Sequence, residues 1–300
     1  MTRGPPSTRA TGLAPGQQFS IIQHNSLGSW DVFLSLFGSL VGTLHADIVL
    51  LQDPPSSKGF LPRFAGYKSF APPSARPGVA IYVSLRFCTR YIVSSGFYGH
   101  TADAMFIDVH TPNGCFGTTA SKFRLNNIYA RVREGHARSV SPETAFHQVD
   151  FPYLVAGDLN IHNPATDPLR IFSYSEELES APLYSMASDR GFRLLNTAGI
   201  YTRFPHSGSH RPGAIDLAFA NPHMSAAFVG WDTTTLPSTG SDHVPILITL
   251  APPTDKPVPR TPAGTWPTGN PWAPVSSRSA YPRPPRTPPH PSSILGFRPH

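Results

Sequence analysis

Cysteine is nearly absent: Cys88 and Cys115 are the only two in 300 residues. That excludes a disulfide framework and a cysteine-built zinc cluster. Both lie in strand-like runs and read as small buried hydrophobes. Long apolar runs are missing too. No stretch approaches the ~18 consecutive apolar residues of a membrane span. The opening MTRGPPSTRATGLAPGQQ has no apolar core and no cleavage pattern, so no secretory signal is expected. These absences point to an intracellular protein, nuclear or cytoplasmic, without a membrane partner. Several signatures of chemistry are also lacking. No GxGxxG follows the first strand, which removes the dinucleotide fingerprint. There is no HExxH, and no Ser or Cys nucleophile sits in an elbow motif.

What is present is unevenly placed. The formal charge is +6, from 24 Lys/Arg and 18 Asp/Glu. Residues 251–300 hold six Lys/Arg and one acid, and residues 1–18 hold Arg3 and Arg9 with no acid. The ends therefore carry +7, and residues 19–250 sum to −1. The folded part is not a basic nucleic-acid platform, although basic ends attract polyanions without specificity. The last 50 residues also hold 15 of the 35 prolines, in strings such as YPRPPRTPPHP that cannot supply ladder hydrogen bonds. Residues 1–18 and 251–300 are expected to be disordered, with one domain over 19–250.

Within 19–250, about ten strand-like runs alternate with few helices. FSIIQHN (19–25), IVLLQ (48–52), GVAIYVS (78–84), AMFIDVH (104–110), RLNNIYA (124–130) and YLVAG (153–157) come first. FRLLN (192–196), IDLAFA (215–220), MSAAFVG (224–230) and VPILITL (244–250) follow. A helix capped by Ser29 carries Trp30, Phe33, Leu34, Phe37, Leu40, Val41 and Leu44 at helical spacing, and a second helix is expected over 175–190. Many strands are apolar on both faces, as when each sheet face is covered. A layered α/β sandwich fits this pattern better than a doubly wound sheet.

Polar residues gather at the strand ends: Asn25, Gln52 and Asp53, Tyr129, Asp158 and Asn160, then Asp242 and His243. For any one of them a turn or cap role is the commoner explanation. Asp216 is different. A carboxylate between Ile215 and Leu217 in an apolar strand is costly to bury unpaired, and His243 is a fitting partner. In an extended strand Asp242 and His243 would project to opposite faces. Together the set has the chemistry of phosphodiester attack. Asp53, Asp242 and the Asn25 amide oxygen suit a hard divalent cation such as Mg²⁺, or Mn²⁺ in its place. Asp158 suits a water-activating base, and Asn160 a phosphate donor.

In this order, Asn25, LLQD (50–53), NIYA (127–130), GDLN (157–160), IDLAF (215–219) and SDH (241–243) resemble the endonuclease/exonuclease/phosphatase superfamily. The nearest likeness is to endonuclease domains of LINE-type (non-LTR) retrotransposons. The resemblance implies a four-layer α/β sandwich, two packed mixed sheets flanked by helices, with a site at the sheet ends. It implies a Mg²⁺-dependent DNA-nicking endonuclease with His243, Asp158, Asn160, Asp216 and Tyr129 as catalytic residues. It places Asp53, Asn25 and Asp242 at the metal, Asp53 standing where the family usually has a glutamate. Two other activities remain open: a weakened or inactive transposon-derived binding module, and an inositol or lipid phosphatase. The latter lacks its expected substrate motifs.

Overall fold

The computed structural model describes residues 18–251, except 43, 44, 58, 99, 100, 112, 113, 117, 133–137, 142–145 and 207–210. The expectation of disorder in 1–18 and 251–300 falls outside the described residues, apart from Gln18 and Ala251. The first sheet is ordered β11-β12-β1-β2-β4-β3: β1 Phe19–Asn25, β2 Ile48–Gln52, β3 Tyr67–Phe70, β4 Val79–Ser84, β11 Phe228–Asp232 and β12 Ile246–Leu250. The second is ordered β5-β6-β7-β8-β10-β9: β5 Ile92–Phe97, β6 Ala104–His110, β7 Lys122–Tyr129, β8 Tyr153–Asp158, β9 Arg193–Leu194 and β10 Asp216–Ala220. Four helices complete the described elements: α1 Trp30–Gly42, α2 Leu85–Cys88, α3 Tyr174–Asp189 and α4 Pro222–Ser225. Among the described residues no helix is long and apolar enough to cross a membrane.

Each sheet is apolar on both faces because each face is covered. Ile21, Ile48, Leu50, Ile81 and Ile248 from the first sheet pack in one cluster with Met105, Ile107, Leu125, Leu154 and Ala218 from the second. The opposite face of the first sheet, with Ile22, Val49, Leu51 and Tyr82, lies under Phe33, Leu36, Phe37 and Leu40 of α1. On the second sheet Phe219 meets the rings of Tyr184, in α3, and Phe146 at 5.7 and 5.1 Å. Helix, sheet, sheet and helix thus form the expected layered α/β sandwich.

Local departures have simple causes. The buried stripe of α1 runs through Phe33, Leu36, Phe37 and Leu40, which leaves Trp30 and Leu34 exposed. Ser29 caps this helix, its Oγ accepting from the Val32 amide. β3 and β5 are edge strands with half-wet side chains, so they carry no continuous apolar run. Asn221 caps α4, so 224–225 are helical and the strand begins only at Phe228. Cys88 ends α2 rather than lying in a strand, while Cys115 is buried.

Among the described strands only β1–β2 and β7–β8 pair in parallel. Since β12 is antiparallel to β1 and β10 to β8, all the polar strand ends fall at one end of the sandwich. There the space between the sheets turns from apolar to polar. Gln52 donates to Asn127 Oδ1 across the sheets at 2.5 Å, and Asn127 donates to the carbonyls of Leu51 and Ala80 at 3.0 and 2.8 Å. All of this is out of water, so removing one partner strands the others. An Asn127→Ala variant is expected to lose about 2 kcal/mol of unfolding free energy in urea titration. A loss below about 0.5 kcal/mol would mean that the seam contributes nothing net.

Candidate active site

Asp216 opens β10 directly opposite Asp158, the last residue of β8, and both are 1% exposed. Two carboxylates so placed cannot both ionise freely. Burial, and then the Asp216 charge, push Asp158 up to about 6, against the opposing pull of His243, Asn25 and the Asn160 amide. Asp158 is held by both sheets: Asn25 Nδ2 donates to Oδ2 at 2.8 Å and the Asn160 amide to Oδ1 at 3.0 Å. The glycine of GDLN is required here, because a Cβ on Gly157 would lie 1.8 Å from the Ile128 carbonyl oxygen.

His243 completes the cluster. Its Nδ1 lies 2.8 Å from Asp216 Oδ2, and its Nε2 lies 3.8 Å from Asp158 Oδ2 and 3.6 Å from Asp242 Oδ1. Burial alone would lower its pKa. The charge and hydrogen bond of Asp216, then the charges of Asp158 and Asp242, outweigh burial and push it up to about 9. At neutral pH His243 is therefore an imidazolium, its Nε2–H available to an incoming anion. Thr202 steadies the base of the pair: its Oγ donates to Asp216 Oδ2 at 2.8 Å and accepts from the Ile215 and Asp216 amides.

The SDH segment is not extended, so the expected opposite projection of Asp242 and His243 does not occur. Ser241 Oγ accepts from the His243 amide at 3.1 Å and donates to the Asn25 carbonyl at 2.9 Å. That bend turns both side chains toward one space. A second tether links Thr239 Oγ to Nε2 of the buried His24 at 2.9 Å. Arg203 Nε donates to Asp242 Oδ2 at 2.8 Å, while Asp242 Oδ1 and Asp216 Oδ1 are buried without a hydrogen-bond partner.

Asp53 sits on the rim in a turn of positive φ, 42°. Its carbonyl accepts from Ser26 Oγ and the Gly28 amide at 2.7 and 2.8 Å, lacing the loops after β1 and β2 together. Arg131 Nη2 lies 3.5 Å from Asp53 and 3.6 Å from Asp103, with its guanidinium 5.1 Å from the Tyr129 ring centre. Burial raises Asp53, Arg131 opposing and Asp103 reinforcing. Burial and the charges of Asp53 and Asp158 push Tyr129 up to about 12, so its hydroxyl keeps its proton.

Charge and donor type together fit a divalent cation. Asp53, Asp103, Asp158, Asp216 and Asp242 face Arg131, Arg203 and His243, a net of −2. Asp158, Asp216 and His243 bring ligand-type atoms within 4.8 Å of one another. An imidazolium does not ligate, so within that group the hard oxygens of Asp158 and Asp216 are the ones that suit a divalent cation.

Several neighbours carry no signal in the sequence, Asp103 beside Arg131 among them. Thr202, Arg203 and Arg131 have no strand or spacing signal that ties them to Asp216, Asp242 or Asp53. Arg138 acts from behind: it donates to the carbonyls of Leu159 and Asn160 at 3.3 and 2.7 Å and pairs with Glu179 of α3 at 2.5 Å. It thereby braces Asn160, whose φ is 49° and whose side-chain Nδ2 donates to the Ala130 carbonyl.

Fold and site together define a class: a two-sheet α/β sandwich whose acids and amides meet the buried His243 at the shared end of both sheets. The chain belongs to the endonuclease/exonuclease/phosphatase family, whose model matches residues 22–243. Solved structures share the fold. The endonuclease domain of TRAS1, a telomere-specific non-LTR retrotransposon, aligns with a TM-score of 0.55 at 17% identity, over 77% of this chain and 98% of that one. The AP endonuclease LMAP from Leishmania major gives 0.60 at 14% identity, over 83% and 92%. The Xenopus laevis APE2 catalytic domain gives 0.57 at 17% identity, over 80% and 95%. No curated protein matches the sequence.

NMR titration of the His243 ring is expected to give a pKa near 9. Asp216→Asn removes the largest favourable charge and should bring it below about 7. An unchanged value would show that Asp216 does not hold the imidazolium.

Proposed function

We propose that the chain is a Mg²⁺-dependent phosphodiesterase that nicks DNA, of the retrotransposon-endonuclease kind, with residues 19–250 as its catalytic domain. The observation that carries this reading is the buried His243, held by Asp216 and aimed between Asp158 and Asp242. A group near pKa 6 beside one near 9 supplies a base and an acid at the same pH. Asp158 takes a proton from the attacking water. His243 donates Nε2–H to the phosphate oxygen on which charge develops. Asn160 and the protonated Tyr129 orient the phosphate as neutral donors, and Asn25 keeps Asp158 aligned. A divalent cation held by Asp53, Asn25 and Asp242 would neutralise phosphate charge that these residues leave uncompensated. DNA as substrate draws support from the relatives: a retrotransposon endonuclease, AP endonucleases, and a Neisseria 3′ phosphatase solved with product DNA hairpin.

One observation favours a second reading, a binding module with little turnover. Asp53 is shorter than the glutamate usual in the family, and Arg131 stands beside it as a competing cation. Calorimetric Mg²⁺ titration separates the two: a stable fold that binds no metal selects the binding module.

Purified protein is expected to nick supercoiled plasmid with Mg²⁺ or Mn²⁺ and to stop on chelation. Asp158→Ala and His243→Ala should each lower kcat/KM by about 10²–10⁴. Full activity in both variants would sink the assignment. The rate should also follow a bell. The base form of Asp158 is lost as pH falls through about 6, and the acid form of His243 as pH rises through about 9. A profile still climbing above pH 9 would remove His243 from the acid role.

A further inference from the structure

A second Asp–His pair lies beside the site and has no part in the chemistry above. His162 Nδ1 is 3.0 Å from Asp167 Oδ2, with the aspartate fully buried and the histidine side chain 26% exposed. Asp167 is fixed independently, since its other oxygen accepts from the Ala214 amide at 3.0 Å. The ring lies flush on the backbone at Gly213, where a Cβ would meet His162 Cε1 at 2.1 Å. Gly213 in turn bridges to Arg203, the partner of Asp242, and Arg211 is exposed two residues earlier. Along the segment that leaves Asp158, Leu159, Ile161 and Asn163 are buried while Asn160 and His162 are half-exposed. His162 therefore continues the exposed polar row of the catalytic loop. The buried carboxylate engages only one ring nitrogen, Nδ1, and the side chain keeps 26% of its surface exposed.

We propose that His162, oriented by Asp167, is a substrate-binding residue that grips a backbone phosphate of the DNA strand next to the scissile one. Between a buried carboxylate and a phosphate, the imidazolium donates on both sides: Nδ1–H to Asp167 and Nε2–H to a phosphate oxygen. The proposal rests on the DNA-cleaving reading.

The test is binding of a short labelled duplex by the whole protein in chelator, where no strand is cut, over a series of salt concentrations. Wild-type protein is expected to bind, His162→Ala to bind about tenfold more weakly, and its slope of log affinity on log salt to be shallower by about one. His162→Gln, which keeps an amide donor, should recover part of the affinity but not the slope. Gly213→Ala, whose new methyl displaces the ring without deleting it, should mimic His162→Ala. Wild-type binding with unchanged affinity and slope in His162→Ala overturns the phosphate contact while leaving the nuclease reading intact. A wild-type protein that neither binds nor nicks duplex DNA overturns both.

Discussion

Burying several carboxylates at one end of a two-sheet sandwich is the constraint from which the rest of that end follows. A carboxylate out of water must be paired or must take a proton. Asp216 is paired by His243 and Thr202, and Asp242 by Arg203. Asp158 receives two donors but faces Asp216 across the strand pair, so it is the one pushed toward protonation. The packing itself thus holds the Asp158 carboxyl above its ordinary range. The same accumulation of charge keeps His243 protonated.

Strand ends deliver part of this directly. Asn25 and Asp158 come from different sheets yet share a hydrogen bond, so closing the sandwich also assembles the site. The Gln52–Asn127 bond locks the register of that closure one layer deeper. Arg138 and Ser241 then fix the two segments that leave the sheets, one through the Leu159 and Asn160 carbonyls and the other through the Asn25 carbonyl. Functional precision here is inherited from core geometry, as expected where a site is built on strand ends.

Much of this was legible in the residues, and the reasons are local. Runs such as IVLLQ and YLVAG are mostly apolar because both faces of their strands are covered, and such runs can be read directly. Asp216 stood out because a carboxylate in an apolar strand needs a partner, and the partner is His243. The edge strands β3 and β5 escaped notice because half-wet strands lack that signal. Arg203 lies 39 positions from Asp242 and Thr202 14 positions from Asp216, and only the fold brings them together. The bend at Ser241 was hidden for a related reason: a side chain folding back on its own backbone leaves no periodic trace. Asp53 is the unusual member of the set by residue type alone, but its neighbour Arg131 is brought to it only by the fold.

The central claim is that this buried acid–histidine cluster drives water onto a phosphodiester. Cleavage of a DNA duplex in water enriched in heavy oxygen, followed by mass analysis of the new strand ends, tests it most directly. Attack by a water activated at Asp158 predicts one heavy oxygen in the terminal phosphate released at each break. Breaks that carry no label, or DNA that stays intact with metal present, would contradict the claim.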